Sequence, residues 1–533
     1  MIGWLIFLCV TILVCVFLNN ASSKVGVPVL LLFILFGIAM RLISTPEARF
    51  NDMKVAETTC TIALIFIMFY GGFGTNWKSA KCIVKEAGLL ASLGVVATAG
   101  LTGLLCHFFL GWGWVESLLM GSVISSTDAA SVFSILRSKH LGLKNNIAPM
   151  LEMESGSNDP CSYMLTIIML ALMKGEASGG AIVLTLVKQL VFGTAFALII
   201  AQAAVFAMRR FSFATSGFDS LFVLAVAIAS YAVPSAVGGN GYLSAYIVGI
   251  IMGNNHFRGK KQLVSFFDGV TGLMQVVIFF MLGLLARVTG LGHELVPALI
   301  LFAAIFFVAR PVSVIAVLAP FKKYSLKQML FISFVGLRGA ASIVFAIMAC
   351  SGNALVEHDI FSVVFVIVLI SIALQGSLIP RAAAKLDVID DSSDVMKTFT
   401  DFADETNMYF SQIKITPDSS WNGIKVMQLN PPKNVLLCLI IRPDGERVVP
   451  NGQTVISEGD TVIMCANAAS GEQYIHLVEH PLSQGSKWAG HMVKEYPHNP
   501  KEQLVLIKRG DRNVVPHGDT VLMEGDILVI NKG

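Results

Sequence analysis

Runs of about 20 mainly apolar residues recur along most of this chain, and they restrict its fold more than any other feature. A helix of that length spans the hydrocarbon core of a bilayer. Charged residues make up 14% of the chain, against roughly 25% in an average soluble domain. We therefore expect a polytopic α-helical membrane protein with about thirteen transmembrane helices, near residues 2–19, 25–43, 55–74, 86–109, 115–136, 149–173, 179–208, 217–235, 239–254, 269–288, 295–319, 327–351 and 358–379.

The charge of the chain divides it into two parts. Residues 1–385 carry 25 Lys and Arg against 15 Asp and Glu, whereas residues 386–533 carry 13 against 20. A polar linker follows Pro380. The predicted divisions are a transmembrane domain at 1–380, a linker at 381–406, and two small units at 407–469 and 470–533.

Lysine and arginine are unequally shared between alternate loops of the membrane part. One set of loops holds 17 of them and the other set holds five. Loops rich in Lys and Arg face the cytoplasm, so the amino terminus is expected outside and the tail inside. The first apolar run lacks a basic start and a small-residue cleavage site, and we expect it to be retained as a helix.

Two of the thirteen spans contain segments that should resist a continuous helix. The fifth span contains the run from Ser125 to Asp128, and the twelfth contains the run from Gly336 to Ala340. Transporters built from inverted repeats use interrupted helices of this kind at the membrane midplane. The sequence thus favours two broken helices that cross at an ion site, although small residues also serve tight helix packing alone.

Three carboxylates, Asp128, Glu154 and Asp159, fall within these apolar spans. An ionisable group at membrane depth costs at least about 2.5 kcal/mol and usually marks an ion pathway. Asp159 has no cationic neighbour in its own helix, and it is the first choice for a group that holds a proton and a cation in turn. Burial disfavours the ionised carboxylate and a bound cation favours it, so the two ligands would compete.

Polar side chains surround these carboxylates in the sequence. Ser155 and Asn158 share the sixth span with Asp159, and spacings of four place such residues on adjacent stripes of a helix. Thr127 and Asp128 can add oxygens, which alkali cations prefer as ligands. Asp128 could instead cap the half-helix that follows it.

Two arginines, Arg310 and Arg338, also lie deep in predicted spans. A buried charge that lacks a partner is strongly destabilising. For Arg338 the sequence predicts a structural ion pair with Glu154, since Asp159 must stay free to titrate. The partner of Arg310 is left open, and Glu152 or a backbone carbonyl would suit.

These motifs resemble those of the cation:proton antiporter superfamily, in its NhaP-type branch. The matching pieces are Thr127-Asp128, the E-S-x-x-N-D run from Glu154 to Asp159, and Arg338 in GLRGA. The resemblance covers about residues 1–380. It implies an inverted-repeat fold of thirteen helices, a homodimer, an elevator-like movement, Asp159 as the proton and cation carrier, a Glu154–Arg338 pair, and Thr127, Asp128, Ser155 and Asn158 around the cation.

The resemblance also implies a mechanism and a location. Asn158, where electrogenic members have Asp, resembles the electroneutral branch that exchanges one proton for one cation. Pro160 stands where many members have a small residue, and the runs LEMESGSNDP and SSTDAASVFS resemble the bacterial potassium:proton subgroup that carries a regulatory tail, which favours K+ over Na+. The expected setting is the bacterial cytoplasmic membrane, with no cofactor and no nucleic-acid polymer as partner.

The tail contains an internal repeat. The run from Ile440 resembles the run from Leu506, and Pro450, Gly459 and Asp460 recur 66 residues later. Short alternating runs between Asp-Gly and Gly-Asp turns predict small β-rich units, which resemble the carboxyl-terminal subdomain of RCK/TrkA-type regulators. Because no G-x-G-x-x-G follows a strand, the dinucleotide-binding half of those regulators is not expected. A small cytosolic ligand, with a nucleotide as one candidate, or a role in assembly alone would explain such units.

The leading interpretation is a secondary antiporter, which is not an enzyme, and two other functions are alternatives to it. A potassium channel gated by the tail is opposed by the lack of a TVGYG-like filter. A membrane sensor without transport would explain the tail but not the cluster from Asp128 to Asp159. Loss of a proton gradient on addition of K+ or Na+ to vesicles separates the three.

Overall fold

The computed structural model of the chain divides into two compact units, residues 1–396 and 397–533. All structural statements below concern the part of the chain that the structure describes. It comprises residues 9–18, 28–45, 50–75, 77–138, 141–175, 179–210, 216–255, 257, 260–287, 291–351, 357–390, 408–429, 431, 435–467, 477–482, 486, 488–496, 502–509, 512–514 and 516–532.

The first unit is built from helices. In chain order they are α1 Cys9–Leu18, α2 Val29–Ile43, α3 Met53–Gly74, α4 Trp77–Ala80, α5 Val84–Leu89, α6 Val95–Leu110, α7 Trp114–Ile124, α8 Ala129–Ser138, α9 Ile147–Met173, α10 Gly179–Arg210, α11 Ser216–Ala236, α12 Gly241–Gly253, α13 Lys260–Leu285, α14 Leu291–Ala304, α15 Arg310–Leu318, α16 Leu326–Phe334, α17 Ala340–Ser351, α18 Ile360–Ile370 and α19 Ser377–Lys385. Wider π turns join α5 to α6, α14 to α15 and α18 to α19, at Leu90–Gly94, Ile305–Ala309 and Ser371–Gly376.

Membrane-crossing length is a property of many of these helices. Seven continuous helices in the described residues are long and apolar enough to span a bilayer: Met53–Gly74, Val84–Leu110, Gly179–Arg210, Gly217–Ala236, Gln262–Leu285, Gly292–Phe321 and Ile360–Lys385. Five more apolar helices of 10–17 residues accompany them. The polytopic helical fold is confirmed, while the total of thirteen spans stays a prediction because these shorter helices do not settle the count.

Most of the helices pack into two groups. The first bundle consists of α2, α3 and α10 to α13, and the second bundle consists of α5 to α9 and α14 to α19. Within the first bundle α3 and α12 touch through their backbones, because a Cβ at Gly72 would collide with the Tyr246 carbonyl and one at Gly249 with the Phe69 carbonyl. The bundles meet where α9 and α17 pack against α3 and α12.

Both predicted interruptions are present in the second bundle. Helix α7 ends at Ile124, and unwound residues 125–128 precede α8. Helix α16 starts with a capping box between Ser325 and Gln328, and unwound residues 335–339 separate it from α17. Polar and glycine residues at these two points break the helices as the sequence predicts.

The second unit contains two four-stranded antiparallel sheets of the same design. Strands β1 Met408–Lys414, β2 Val435–Ile441, β3 Arg447–Val448 and β4 Thr461–Asn467 lie in the order β1-β4-β2-β3, and strands β5 Leu477–Pro481, β6 Glu502–Arg509, β7 Arg512–Val514 and β8 Ile527–Lys532 lie in the order β5-β8-β6-β7. Both sheets have a register shift at the equivalent point of β2 and β6. The predicted β-rich repeat is thus confirmed.

Each sheet buries one aspartate beside one arginine. Arg442 Nη1 lies 2.5 Å from Asp460 Oδ2, and Arg509 Nη2 lies 2.7 Å from Asp526 Oδ2. Burial alone would raise the pKa of Asp526, but the hydrogen bonds and charge of Arg509 lower it below its ordinary value. The arginines are 67 residues apart and the aspartates 66, because the second hairpin is one residue shorter.

Candidate cation site

The two unwound segments, residues 125–128 and 335–339, bond directly to each other, and we call the place where they meet the crossing. The backbone N–H of Asp128 donates to the Leu337 carbonyl at 2.9 Å. Gly339 lies against the Asp128 carboxylate, with which a Cβ at this position would collide. The crossing therefore requires both a peptide left free by one broken helix and a residue without a side chain in the other.

Asp159 lies beside this crossing on α9. Its side chain is buried, with 6% of the residue exposed, and it accepts a hydrogen bond from the Ser126 hydroxyl. The next turn of α9 is also tied to the first broken helix, because Ser162 Oγ donates to the Ser122 carbonyl at 2.5 Å. A carboxylate, a hydroxyl and unwound backbone thus meet at one buried point.

Three more predicted site residues join α9 to the same unwound segment. Ser155 Oγ donates to the Thr127 carbonyl at 2.7 Å, and Asn158 Nδ2 donates to Thr127 Oγ1 at 2.6 Å. Asn158 is fully buried, yet its amide oxygen Oδ1 has no hydrogen-bond partner among the described residues. Buried polar atoms are nearly always partnered, so this oxygen is a candidate cation ligand.

Asp128 occupies the amino-terminal end of α8. Its carboxylate accepts hydrogen bonds from the Ser131 backbone N–H at 3.2 Å and from the Ser131 hydroxyl at 2.5 Å. A carboxylate at this position satisfies free donors of the first turn and complements the positive end of the helix. Capping, the second of the two roles considered for Asp128, is the role that these bonds support.

The buried ion pair of the crossing differs from the predicted one. Glu154 Oε1 lies 2.5 Å from Arg310 Nη2, and both side chains are almost completely buried. The prediction of a Glu154–Arg338 pair is wrong, and the ion-pair partner left open for Arg310 is Glu154. Arg310 directly follows a π turn, and its contact with Glu154 on α9 is one that residue spacing does not reveal.

Arg338 instead bonds to the end of the first broken helix. Its Nη1 donates to the Ser125 carbonyl at 2.9 Å and to the Ser126 carbonyl at 2.7 Å. The carbonyls at a helix end are unpaired and carry partial negative charge. The guanidinium of the second broken helix thus caps the first one through Nη1, while its buried Nε and Nη2 have no hydrogen-bond partner among the described residues.

Sequence reasoning missed three polar residues that support the crossing. Ser371 Oγ accepts from the Arg338 backbone N–H at 3.1 Å, and Gln375 Nε2 donates to the Phe334 carbonyl at 3.1 Å. Asn240 Nδ2 donates to the Pro160 carbonyl at 3.0 Å while its oxygen caps α12. Their signal was a lone polar side chain inside an apolar run or before one.

Family models match both units of the chain. The model described as sodium/hydrogen exchanger, transmembrane, matches residues 9–385. The TrkA-C domain model matches residues 410–476 and 477–530. The first model covers more than half of the chain, and the second matches each of the two sheets.

Several characterised relatives are similar along most of the chain. A K(+)/H(+) antiporter NhaP of Alkalimonas amylolytica is 37% identical over 374 residues, which cover 70% of this chain and 65% of the relative. A K(+)/H(+) antiporter NhaP2 of Shewanella baltica is 32% identical over 444 residues, which cover 82% of this chain and 74% of the relative. The chain thus spans about two thirds to three quarters of the length of these proteins.

A solved structure supports the fold. The sodium proton antiporter MjNhaP1 of Methanocaldococcus jannaschii is similar with a TM-score of 0.61 at 22% identity, covering 70% of this chain and 98% of the other. The fold of the membrane part is therefore that of a cation:proton antiporter. Together with the match over residues 9–385, this places the chain in the sodium/hydrogen exchanger family of membrane antiporters, with TrkA-C domains after the membrane part.

Proposed function

We propose that this protein is a secondary antiporter that exchanges K+ for H+, with Asp159 as the group that binds both. The observation that carries the proposal is the meeting of Asp159 with the unwound backbone of a broken helix. The K+ preference is supported by the names of the Alkalimonas and Shewanella relatives. Na+ is the alternative cation, and no cofactor is required.

The charges at the crossing support a one-for-one exchange. The ionisable groups there are Asp128, Glu154, Asp159, Arg310 and Arg338. With Asp159 protonated, two negative and two positive charges remain. With Asp159 ionised and one monovalent cation bound, there are three negative and three positive charges. The net charge of the crossing is therefore zero in both loaded states. A buried net charge is costly, and this balance favours electroneutral exchange.

The cation would be held by oxygens of this crossing. The Asp159 carboxylate and the unpartnered Oδ1 of Asn158 are the first candidates, since hard cations favour oxygen ligands. Thr127 and Ser155 bring α9 and the unwound segment together, and Asp128 fixes the start of α8. The cation competes with the proton for the Asp159 carboxylate, and this competition couples the two fluxes.

The decisive experiment compares Asp159→Asn with wild type in proteoliposomes that carry a pH gradient. Added K+ should dissipate the gradient for wild type, and Asp159→Asn should abolish this while the protein remains folded. Asp387→Asn is the matched control, because Asp387 is exposed and forms a surface ion pair with Lys144, away from the candidate cation site. Exchange that persists in Asp159→Asn would remove that residue from the carrier role.

Two further measurements address the remaining alternatives. Titration with K+, Na+ and Li+ fixes the preferred cation. The rate should not change when a membrane potential is imposed, whereas a channel would carry current and a sensor would give neither flux nor current. Electrogenic exchange would refute the charge balance of the crossing.

The assembly and setting of the protein follow from the family. We propose a homodimer in the bacterial cytoplasmic membrane, with the amino terminus outside and the two sheets in the cytoplasm. The TrkA-C match supports regulation of exchange by a small cytosolic ligand, for which a nucleotide is one candidate. Exchange rates of the full chain with and without ATP, ADP or NAD+ inside the vesicles test this, and cross-linking in membranes tests the dimer.

A further inference from the structure

Three potential metal ligands lie away from the crossing, where the first turn of α7 meets the segment before α18. Glu116 belongs to that first turn, and Glu357 and His358 precede α18. One oxygen of each carboxylate and one ring nitrogen of His358 lie within 4.8 Å of one another. We propose that these three residues bind a divalent transition-metal ion, with Zn2+ as the best fit.

The first argument is the burial of Glu116. Its side chain is only 6% exposed, and its two carboxylate oxygens face the backbone N–H of His358 at 2.9 Å and Nδ1 of the same residue at 3.0 Å. Within the described residues no lysine or arginine forms an ion pair with it. A buried carboxylate without a lysine or arginine partner is costly, and a bound cation removes that cost.

The second argument is the spacing of the ligand atoms. Zinc binds imidazole nitrogen and carboxylate oxygen at about 2.0–2.2 Å in a tetrahedron, which places two ligand atoms roughly 3.4 Å apart. The Glu116 oxygen and His358 Nδ1 are already 3.0 Å apart. Glu357 is exposed and can turn toward them, and water can take the fourth position.

The third argument is that the imidazole is held in place. The ring of His358 stacks on Trp112, with centroids 4.3 Å apart and planes at 15°. The bond from its backbone to Glu116 fixes the carboxylate as well. Ligands of metal sites are oriented by such secondary contacts. One imidazole with two carboxylates suits Zn2+ and its neighbours in the first row rather than alkali cations, so this site is chemically different from the one at Asp159.

The test is a calorimetric titration in which Zn2+ is added to the full-length, chelator-treated protein in detergent. Wild type should bind one ion at this site. Loss of an outer-shell partner alone costs about 10–100-fold in metal affinity, so loss of a ligand should cost at least as much: we expect His358→Ala to weaken binding by about 100-fold or more and Glu357→Ala by about tenfold. His293→Ala is the matched control, because His293 is an exposed histidine at the start of α14, and it should bind like wild type.

A second readout separates metal binding from a simple ion pair. Zn2+ should raise the unfolding temperature of wild type, because the ion joins α7 to the start of α18 and binds only the folded protein. At the same Zn2+ concentration this rise should be smaller in Glu357→Ala, because that variant binds the ion about tenfold more weakly while its exposed side chain is not needed for folding. The proposal is overturned if wild type neither binds nor is stabilised by Zn2+, or if Glu357→Ala and His358→Ala bind it as wild type does.

Discussion

Separating the buried ion pair between Glu154 and Arg310 tests the arrangement at the crossing most directly. Only 1% of the Glu154 side chain and 3% of the Arg310 side chain are exposed. Removing one partner of such a pair costs about 3–5 kcal/mol, because the other charge stays buried without compensation. We expect Glu154→Gln and Arg310→Met each to lower the free energy of unfolding by about this amount.

The loss can be translated into an unfolding temperature. An unfolding entropy of about 2.1 cal/mol/K per residue over the membrane part amounts to about 0.8 kcal/mol/K, so each variant should lose about 4–6 °C. The assay is the monodisperse fraction that survives heating in detergent. The double variant Glu154→Gln with Arg310→Met should lose less than the two single variants together, because both charges are then gone.

The control replaces the other buried arginine. Arg338 bonds to the Ser125 and Ser126 carbonyls, so Arg338→Met combined with Glu154→Gln should lose close to the sum of the single losses. If Glu154 instead couples to Arg338 and not to Arg310, the pairing described for the crossing is incorrect.

Three further changes test individual parts of the molecule. Gly339→Ala should lower both the exchange rate and the unfolding temperature, because its Cβ would collide with Asp128. Gly88→Ala is the control, because a Cβ at Gly88 meets no neighbour within 4 Å and should change neither quantity. The same heating and vesicle assays measure both variants. Asn158→Ala should raise the cation KM about tenfold, or about 1.4 kcal/mol, and an unchanged KM would exclude its amide oxygen as a ligand. Because Asp526 has a lowered pKa, its ionised form stabilises the second sheet fully above the ordinary aspartate pKa, and this stabilisation is lost as the pH falls through the lowered pKa. Hydrogen exchange in β8 should therefore become faster in acid for wild type, and Asp526→Asn should abolish this acid dependence. An unaltered acid dependence in Asp526→Asn would assign the effect to another group.

Features encoded in local sequence were predictable. Apolar runs indicated a polytopic helical membrane part, the polar segments near Ser125 and Gly336 indicated both interruptions, and the tail repeat indicated two similar β-rich units. Each of these depends on residues close together in the chain. Asp159, the proposed carrier, was also predicted to lie near the first interruption, because its helix carries several polar residues at helical spacing.

Features that depend on how distant helices face each other were not predictable. Glu154 could have met either arginine, and the choice of Arg310 depends on how distant helices face each other. Ser371 and Gln375 looked like minor polar residues in an apolar span, yet they bond to the second broken helix from another part of the chain. Spacing within one helix carries no information on such contacts.

The backbone contact between α3 and α12 has a consequence for how the chain tolerates change. Gly72 cannot gain even a methyl group without parting the two helices, whereas its neighbour Gly71 meets nothing within 4 Å and can. In a saturation-mutagenesis library these adjacent glycines should therefore show opposite outcomes, although both lie on α3 and outside the two unwound segments. Because the backbones of α3 and α12 touch at Gly72 and Gly249, a shift of one helix along the other would bring larger side chains into this contact, and we expect the two helices to move as one unit.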